Sequence, residues 1–227
     1  MSGGRASMVR ELNIVTPLHT STKRDCLARM NDNKVEAMVK AKEYGFDYWD
    51  GERRYGYGGY RYIPGRWSSV AKAFIDMYNI KPGQKILDIG CGKGFLLYEI
   101  QLIEPGIELF GIDISEYGLN STPNNLKAKL YNLRCDRVLP WEDNYFDLAF
   151  SLGTFHNLNL PSLSVALPEI NRIAKEKYLM IESFRNEAEQ FNLQCWALTA
   201  ETLIDTESWK WLFRQMGYLG DYEFIYF

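Results

Sequence analysis

The run Ile86-Leu-Asp88-Ile-Gly90-Cys-Gly92-Lys-Gly94 constrains the fold more than any other part of the chain. A short apolar stretch gives way to three alternate glycines, and an apolar helical pattern over 95–103 follows, stopped by Pro105-Gly106. Without side chains at those three places the backbone can turn sharply, and a ligand can approach its N–H groups. The segments that follow keep the rhythm of an open α/β sheet. Strands are expected at 85–89, 109–112 (ending at Asp113), 129–133, 146–151 and 178–181. Helices are expected at 163–174 and at 207–216, the latter capped by Thr206 and ended by Gly217. Residues 221–227 alternate like a strand and are assigned to an antiparallel edge of a mostly parallel sheet.

The ligand that such a loop holds can be narrowed by elimination. A dinucleotide fingerprint counted from Gly90 needs a third glycine at 95, which is Phe95. A phosphate-cradling P-loop needs Ser or Thr after its lysine, and Lys93 is followed by Gly94. Asp113 falls 25 positions after Asp88, at the end of the next strand, where an acid can accept both hydroxyls of a ribose. A nucleoside with an amino-acid tail suits this arrangement better than a pyrophosphate.

Over residues 68–183 the sequence resembles the class I S-adenosylmethionine-dependent methyltransferases. Four motifs in order carry the resemblance: the loop at 88–94, Gly111-Ile-Asp113-Ile114, Cys135-Asp136-Arg137-Val-Leu-Pro140, and Asn144-Tyr-Phe-Asp147-Leu-Ala-Phe-Ser151. It implies a Rossmann-like, doubly wound, seven-stranded sheet and S-adenosylmethionine as cofactor. Gly90, Gly92 and Gly94 would contact the cofactor's amino-acid part, beside Asp88, and Asp113 would hold the ribose. Ile114 would border the adenine, and Asp136, next to Arg137, would accept its amino group. Ser151 and Leu152 would lie at the methionine side. Read as residues alone, Asp88 and Asp136 could equally cap turns.

A sulfonium is an activated methyl donor, so the protein must hold an acceptor lone pair about 3 Å from the methyl carbon, in line with the sulfur. A hydroxyl acceptor also needs a base. His156 follows the fourth strand, where the substrate should sit, and is either that base or a packing and positioning residue. Glu182, closing the fifth strand, is the second candidate, with a capping or solvated role as its alternative.

The chain divides into a tail or expression scar over 1–19, an arm over 20–67 and the main domain over 68–227. The arm begins with a mainly helical stretch over 20–44. It then interleaves Arg53, Arg54, Arg61 and Arg66 with Tyr55, Tyr57, Tyr60 and Tyr62, and Gly56, Gly58 and Gly59 could let it bend as a lid. Tyr57, Arg61 and Arg66, with Trp196, are candidates for an acceptor wall that recognises an anion. A solvated arm packed on the sheet edge, or one that pairs two subunits into a homodimer, uses the same residues. Together with Gly217-Tyr-Leu-Gly220-Asp-Tyr-Glu-Phe224, the arm resembles small bacterial methyltransferases of surface-polysaccharide gene clusters. That implies a nucleotide-linked sugar or phosphorylated capsule precursor as acceptor.

Charge sets limits on the partner. Residues 23–66 carry 10 basic and 7 acidic side chains, whereas 141–227 carry 6 and 13. An acidic C-terminal half repels a phosphate backbone, which argues against nucleic acid and against an RNA methyltransferase. A non-catalytic subunit that only binds the cofactor is also compatible with these residues, whereas methylation of RNA or protein conflicts with the acidic C-terminal half. Cys26, Cys91, Cys135 and Cys195 show no metal-type spacing, and with only His19 and His156 beside them no metal site is expected. Free thiols and the lack of a membrane-length apolar run read as a cytoplasmic protein without a membrane partner.

Overall fold

The computed structural model describes residues 9–227. Its sheet has six strands in the order β3-β2-β1-β4-β5-β6, and every neighbouring pair is parallel. They are β1 (Lys85–Ile89), β2 (Glu108–Asp113), β3 (Ala128–Asn132), β4 (Phe146–Leu152), β5 (Ala174–Glu182) and β6 (Asp221–Ile225). β1 and β4 are buried over nearly their whole length, as strands covered on both faces must be. The order reverses between β1 and β4, so a crevice opens at the carboxyl ends of these two strands.

The helices are α1 (Thr16–Thr20), α2 (Cys26–Asn31), α3 (Lys34–Ala41), α4 (Phe46–Trp49), α5 (Ser68–Met77), α6 (Phe95–Ile103), α7 (Glu116–Asn120), α8 (Leu160–Ile173), α9 (Glu187–Trp196) and α10 (Thr206–Gln215). On one face of the sheet α5 and α6 bring Val70, Phe74, Leu97 and Ile100 against Phe150 and Tyr178, with Phe74 stacked on Phe150 at 4.7 Å. On the other face α8 and α10 contribute Leu163, Leu167, Ile170, Trp209 and Phe213. No helix among the described residues is long and apolar enough to cross a membrane.

Four expectations change. The sheet has six strands among the described residues, not seven, and its C-terminal edge is parallel rather than antiparallel. The connection from β5 runs through both α9 and α10 before β6, a crossover that carries the chain back to the starting end of the sheet. Alternation along 221–227 is blind to strand direction, and the acidic Asp221 and Glu223 within it are buried. The single helical stretch of 20–44 is likewise α2 and α3, broken at Asn33, whose φ of 43° asparagine tolerates better than most residues.

The tail expected over 1–19 is the fourth correction. Residues 1–8 lie outside the described residues, but from residue 9 onward the segment is packed. Leu12 N–H donates to Tyr222 O and Tyr222 N–H to Arg10 O, extending the sheet past β6. The buried Glu223 carboxylate then accepts from the N–H groups of Ile14 (2.6 Å), Val15 (3.0 Å) and Thr16 (2.6 Å) and from the hydroxyls of Thr16 and Tyr178. It satisfies the free donors where α1 begins. Glu223→Gln puts an amide among those donors and is expected to cost about 2 kcal/mol of stability, read by urea unfolding. A loss near zero would mean that burial of Ile14 and Val15 holds the segment instead.

Candidate functional site

Gly90, Gly92 and Gly94 all have left-handed backbones, with φ of 81°, 53° and 67°, which explains glycine at each. A Cβ on Gly92 would also lie 2.5 Å from the ring of Trp49. The loop's N–H groups do not face outward as expected. Gly90 and Cys91 donate to Ile112 O (2.8 and 3.1 Å), and Gly92 donates to Asp113 Oδ2 (2.7 Å). The loop therefore offers close approach to bare Cα atoms rather than a nest of donors.

Asp88 stands beside it with a carboxyl that is 5% exposed and makes no hydrogen bond among the described residues. Burial first, and then the neighbouring Asp113, push its pKa well above the ordinary carboxylate value. Such a group is matched by an incoming ammonium. Asp113 is also raised by burial, a shift opposed by the N–H groups of Ser115 and Gly92.

These elements enclose a cavity of about 530 Å³. It brings together Asp88, Gly90 and Gly92 of the loop with Leu152 at the end of β4, His156, and Glu182 at the end of β5. Tyr57, Arg61 and Arg66 of the arm and Trp196 at the end of α9 join the same wall. The remaining candidates lie outside it. Gly94 packs toward Leu126, and Ser151 is buried, donating to Ile89 O at 2.7 Å, which ties β4 to β1. Asp113 and Ile114 are parted from the cavity by Trp49, whose ring fills the space between Gly92 and Gly118. Its Nε1 donates to Ser115 Oγ at 2.8 Å. Asp136 is gripped by Arg134 (2.9 and 2.7 Å) and by Ser162 Oγ (2.8 Å), and Arg137 donates to Asp136 O at 3.4 Å. The Arg134 hydrogen bonds hold Asp136 down to about 2.

His156 is buried and Glu182 faces the cavity. The Glu182 N–H donates to His156 Nδ1 (3.3 Å), which assigns the ring proton to Nε2, 3.4 Å from Glu182 Oε2. Burial lowers the pKa of His156, partly countered by Glu182, so the neutral ring is favoured. One ring nitrogen therefore faces the backbone and the other faces Glu182.

The arm forms the roof of this cavity. Trp49 stacks on Tyr57 at 5.2 Å, and Tyr60 packs on Phe95 at 4.9 Å. A latch that the sequence did not reveal fixes it. Lys93, inside the glycine loop and buried, donates to both oxygens of Asp50 (2.7 and 2.6 Å) and to Tyr60 O (2.9 Å), while Tyr117 Oη donates to Asp50 Oδ2 (2.7 Å). Read from the sequence, Lys93 serves only to exclude a P-loop. Its partner stands 43 positions earlier with no periodic pattern between them, so no sequence signal pairs the two.

A family model described as a methyltransferase domain matches residues 80–217. The 24-methylenesterol C-methyltransferase 2 of Arabidopsis thaliana is 38% identical over 109 residues, covering 44% of this chain and 29% of that protein. The ubiquinone/menaquinone biosynthesis C-methyltransferase UbiE of Burkholderia multivorans is 37% identical over 113 residues, covering 46% of this chain and 44% of that protein. The chain thus spans less than half the length of these curated relatives. Among solved structures, the plantazolicin methyltransferase BpumL in complex with a pentazolic desmethylPZN analog and SAH superposes with a TM-score of 0.56 at 17% identity. That superposition covers 82% of this chain and 77% of the other.

Proposed function

The chain belongs to the methyltransferase family, and we propose that it transfers a methyl group from S-adenosylmethionine to an oxygen or nitrogen of a small, anionic acceptor. One observation carries the reading: a buried Asp88 carboxyl with no hydrogen bond among the described residues and bare glycine Cα atoms line the same cavity as Glu182. When bound, the donor supplies a methyl group already activated on a sulfonium. Asp88 would pair with its ammonium, and Gly90 and Gly92 would let its amino-acid part lie against the loop. Once Trp49 moves aside, Asp113 would accept the ribose hydroxyls on its remaining lone pairs, Ile114 would border the adenine, and Asp136, beside Arg137, would face its amino group.

The arm's role is to exclude water and to fix the acceptor. Glu182 would take the proton from a hydroxyl acceptor as the methyl arrives, and His156 would aim that carboxylate. Arg61 and Arg66 on the wall fit an anion better than the sterol or quinone named for two relatives. A nucleotide-linked sugar or a phosphorylated capsule precursor has the required charge and size. The test is turnover: the full chain with S-adenosylmethionine is offered nucleotide sugars, sugar phosphates and small amines, with products read by mass. A gain of one methyl on a phosphorylated compound supports the reading. Methylation confined to uncharged acceptors would contradict it.

A further inference from the structure

We infer that Arg24, Arg29 and Arg53, gathered around Trp196 on the cavity wall, form a phosphate-binding site for the charged end of the acceptor. The designation of that ligand as the acceptor rests on the transfer reading above; the anion site itself does not. The guanidinium carbons of Arg29, Arg53 and Arg24 lie 4.1, 5.1 and 5.5 Å from the centroid of this one indole ring. All three side chains line the cavity that holds Asp88 and Glu182.

Like Arg61 and Arg66 on the same wall, they have no acidic partner among the described residues, and their common packing on one indole ring sets them apart. Arg10, Arg54, Arg134 and Arg172 each meet a carboxylate within 3.5 Å, whereas no ion pair among the described residues involves Arg24, Arg29 or Arg53. Neutral groups hold them instead. Arg29 donates to the carbonyls of Arg53 and Gly56 (both 2.8 Å) and of Trp196 (3.3 Å). Arg24 donates to the carbonyls of His19 (2.9 Å) and Thr22 (3.0 Å), and Arg53 to that of Gly56. Backbone carbonyls orient a guanidinium without neutralising it, so three full positive charges are held around one ring.

Holding them there is unfavourable until an anion arrives. Burial, and then the charge of Arg53, pushes Arg29 down to about 10, and burial lowers Arg24 as well. Trp196 cannot be the ligand's stacking platform, because Arg29 covers it and Phe227 stacks against it at 6.1 Å. Its part is to hold the guanidiniums in place. Nε and Nη2 of Arg53 make no hydrogen bond among the described residues and remain as donors. Arg61 and Arg66, on the same lining, add further positive charge. A monocarboxylate would neutralise one of these cations; a phosphate or diphosphate matches several, with its oxygens spaced for the guanidinium fork.

The test is calorimetry on the full chain with inorganic pyrophosphate, inorganic phosphate and acetate, and separately with S-adenosylhomocysteine. Pyrophosphate is expected to bind at least tenfold tighter than acetate. Arg53→Gln should weaken pyrophosphate at least tenfold and change S-adenosylhomocysteine affinity less than twofold. Arg24→Gln serves as the second variant if Arg53→Gln does not fold. Phosphate binding as tightly as pyrophosphate points to a monoester end, and weaker phosphate to a diphosphate; both support the site. Pyrophosphate no tighter than acetate, or unaffected by both substitutions, overturns it. So does a parallel loss of S-adenosylhomocysteine, which would assign the arginines to the donor's carboxylate. If the wild type binds pyrophosphate through Arg53 but no S-adenosylhomocysteine, the anion site stands and the donor reading falls.

Discussion

Glu182→Gln is expected to lower kcat by about 10²- to 10⁴-fold, the usual contribution of a positioned general base, with donor affinity unchanged. The amide keeps the shape of the carboxylate and cannot take a proton. The expectation follows from the side chain's place at the end of β5, facing the cavity across from the glycine loop. His156→Phe should lower kcat about tenfold if, as proposed, the ring acts through that carboxylate, 3.4 Å away. The double variant should then be no slower than Glu182→Gln alone, since a carboxylate already lost cannot be misaimed. Multiplicative effects of the two substitutions would show that His156 acts independently. A Glu182→Gln enzyme within twofold of the wild type would remove Glu182 from the chemistry altogether.

The second large effect is expected at the latch. Lys93→Met removes the ammonium from Asp50 and from Tyr60 O and leaves a half-buried carboxylate with no cationic partner among the described residues. Breaking such a pair by removing one partner costs about 3–5 kcal/mol when it is buried, and Asp50's partial exposure favours the lower end. The roof should loosen, donor affinity should fall at least tenfold, and protease should cut near Gly58 and Gly59. Asp50→Leu combined with Lys93→Met should recover part of the stability, because no unpaired charge remains. A single variant as stable as the wild type would show that the stacked Trp49 and Tyr57 hold the arm without help.

How far the sequence reveals this molecule depends on whether the relevant signal is local. The strand, glycine turn and helix over 85–103 are legible because burial, turn geometry and helical period act within a few residues. The direction of β6 is not, because it is decided by the crossover before it. The roof is legible only as an unusual composition. Its Tyr, Gly and Arg residues follow no period, and their order comes from contacts with Gly92, Lys93 and Phe95 far along the chain. The same holds for Arg24, Arg29 and Arg53, which are scattered in sequence and meet only at Trp196. The ligand role implied for Asp136 met a competitor that the motif does not show, Arg134 two residues earlier. Among the predicted chemical groups, Asp88, His156 and Glu182 meet in one cavity because each stands just beyond or at the end of a central strand.

The proposed function depends first on the turn after β1 and the acid ending β2 holding an adenosyl ligand with an amino-acid tail. Calorimetric titration of the full chain with S-adenosylhomocysteine, run beside Asp113→Ala, measures this without reference to any acceptor. One saturable site is expected on the wild type, and at least a tenfold loss of affinity in the variant. No binding at millimolar ligand, or equal affinity in both proteins, would contradict it.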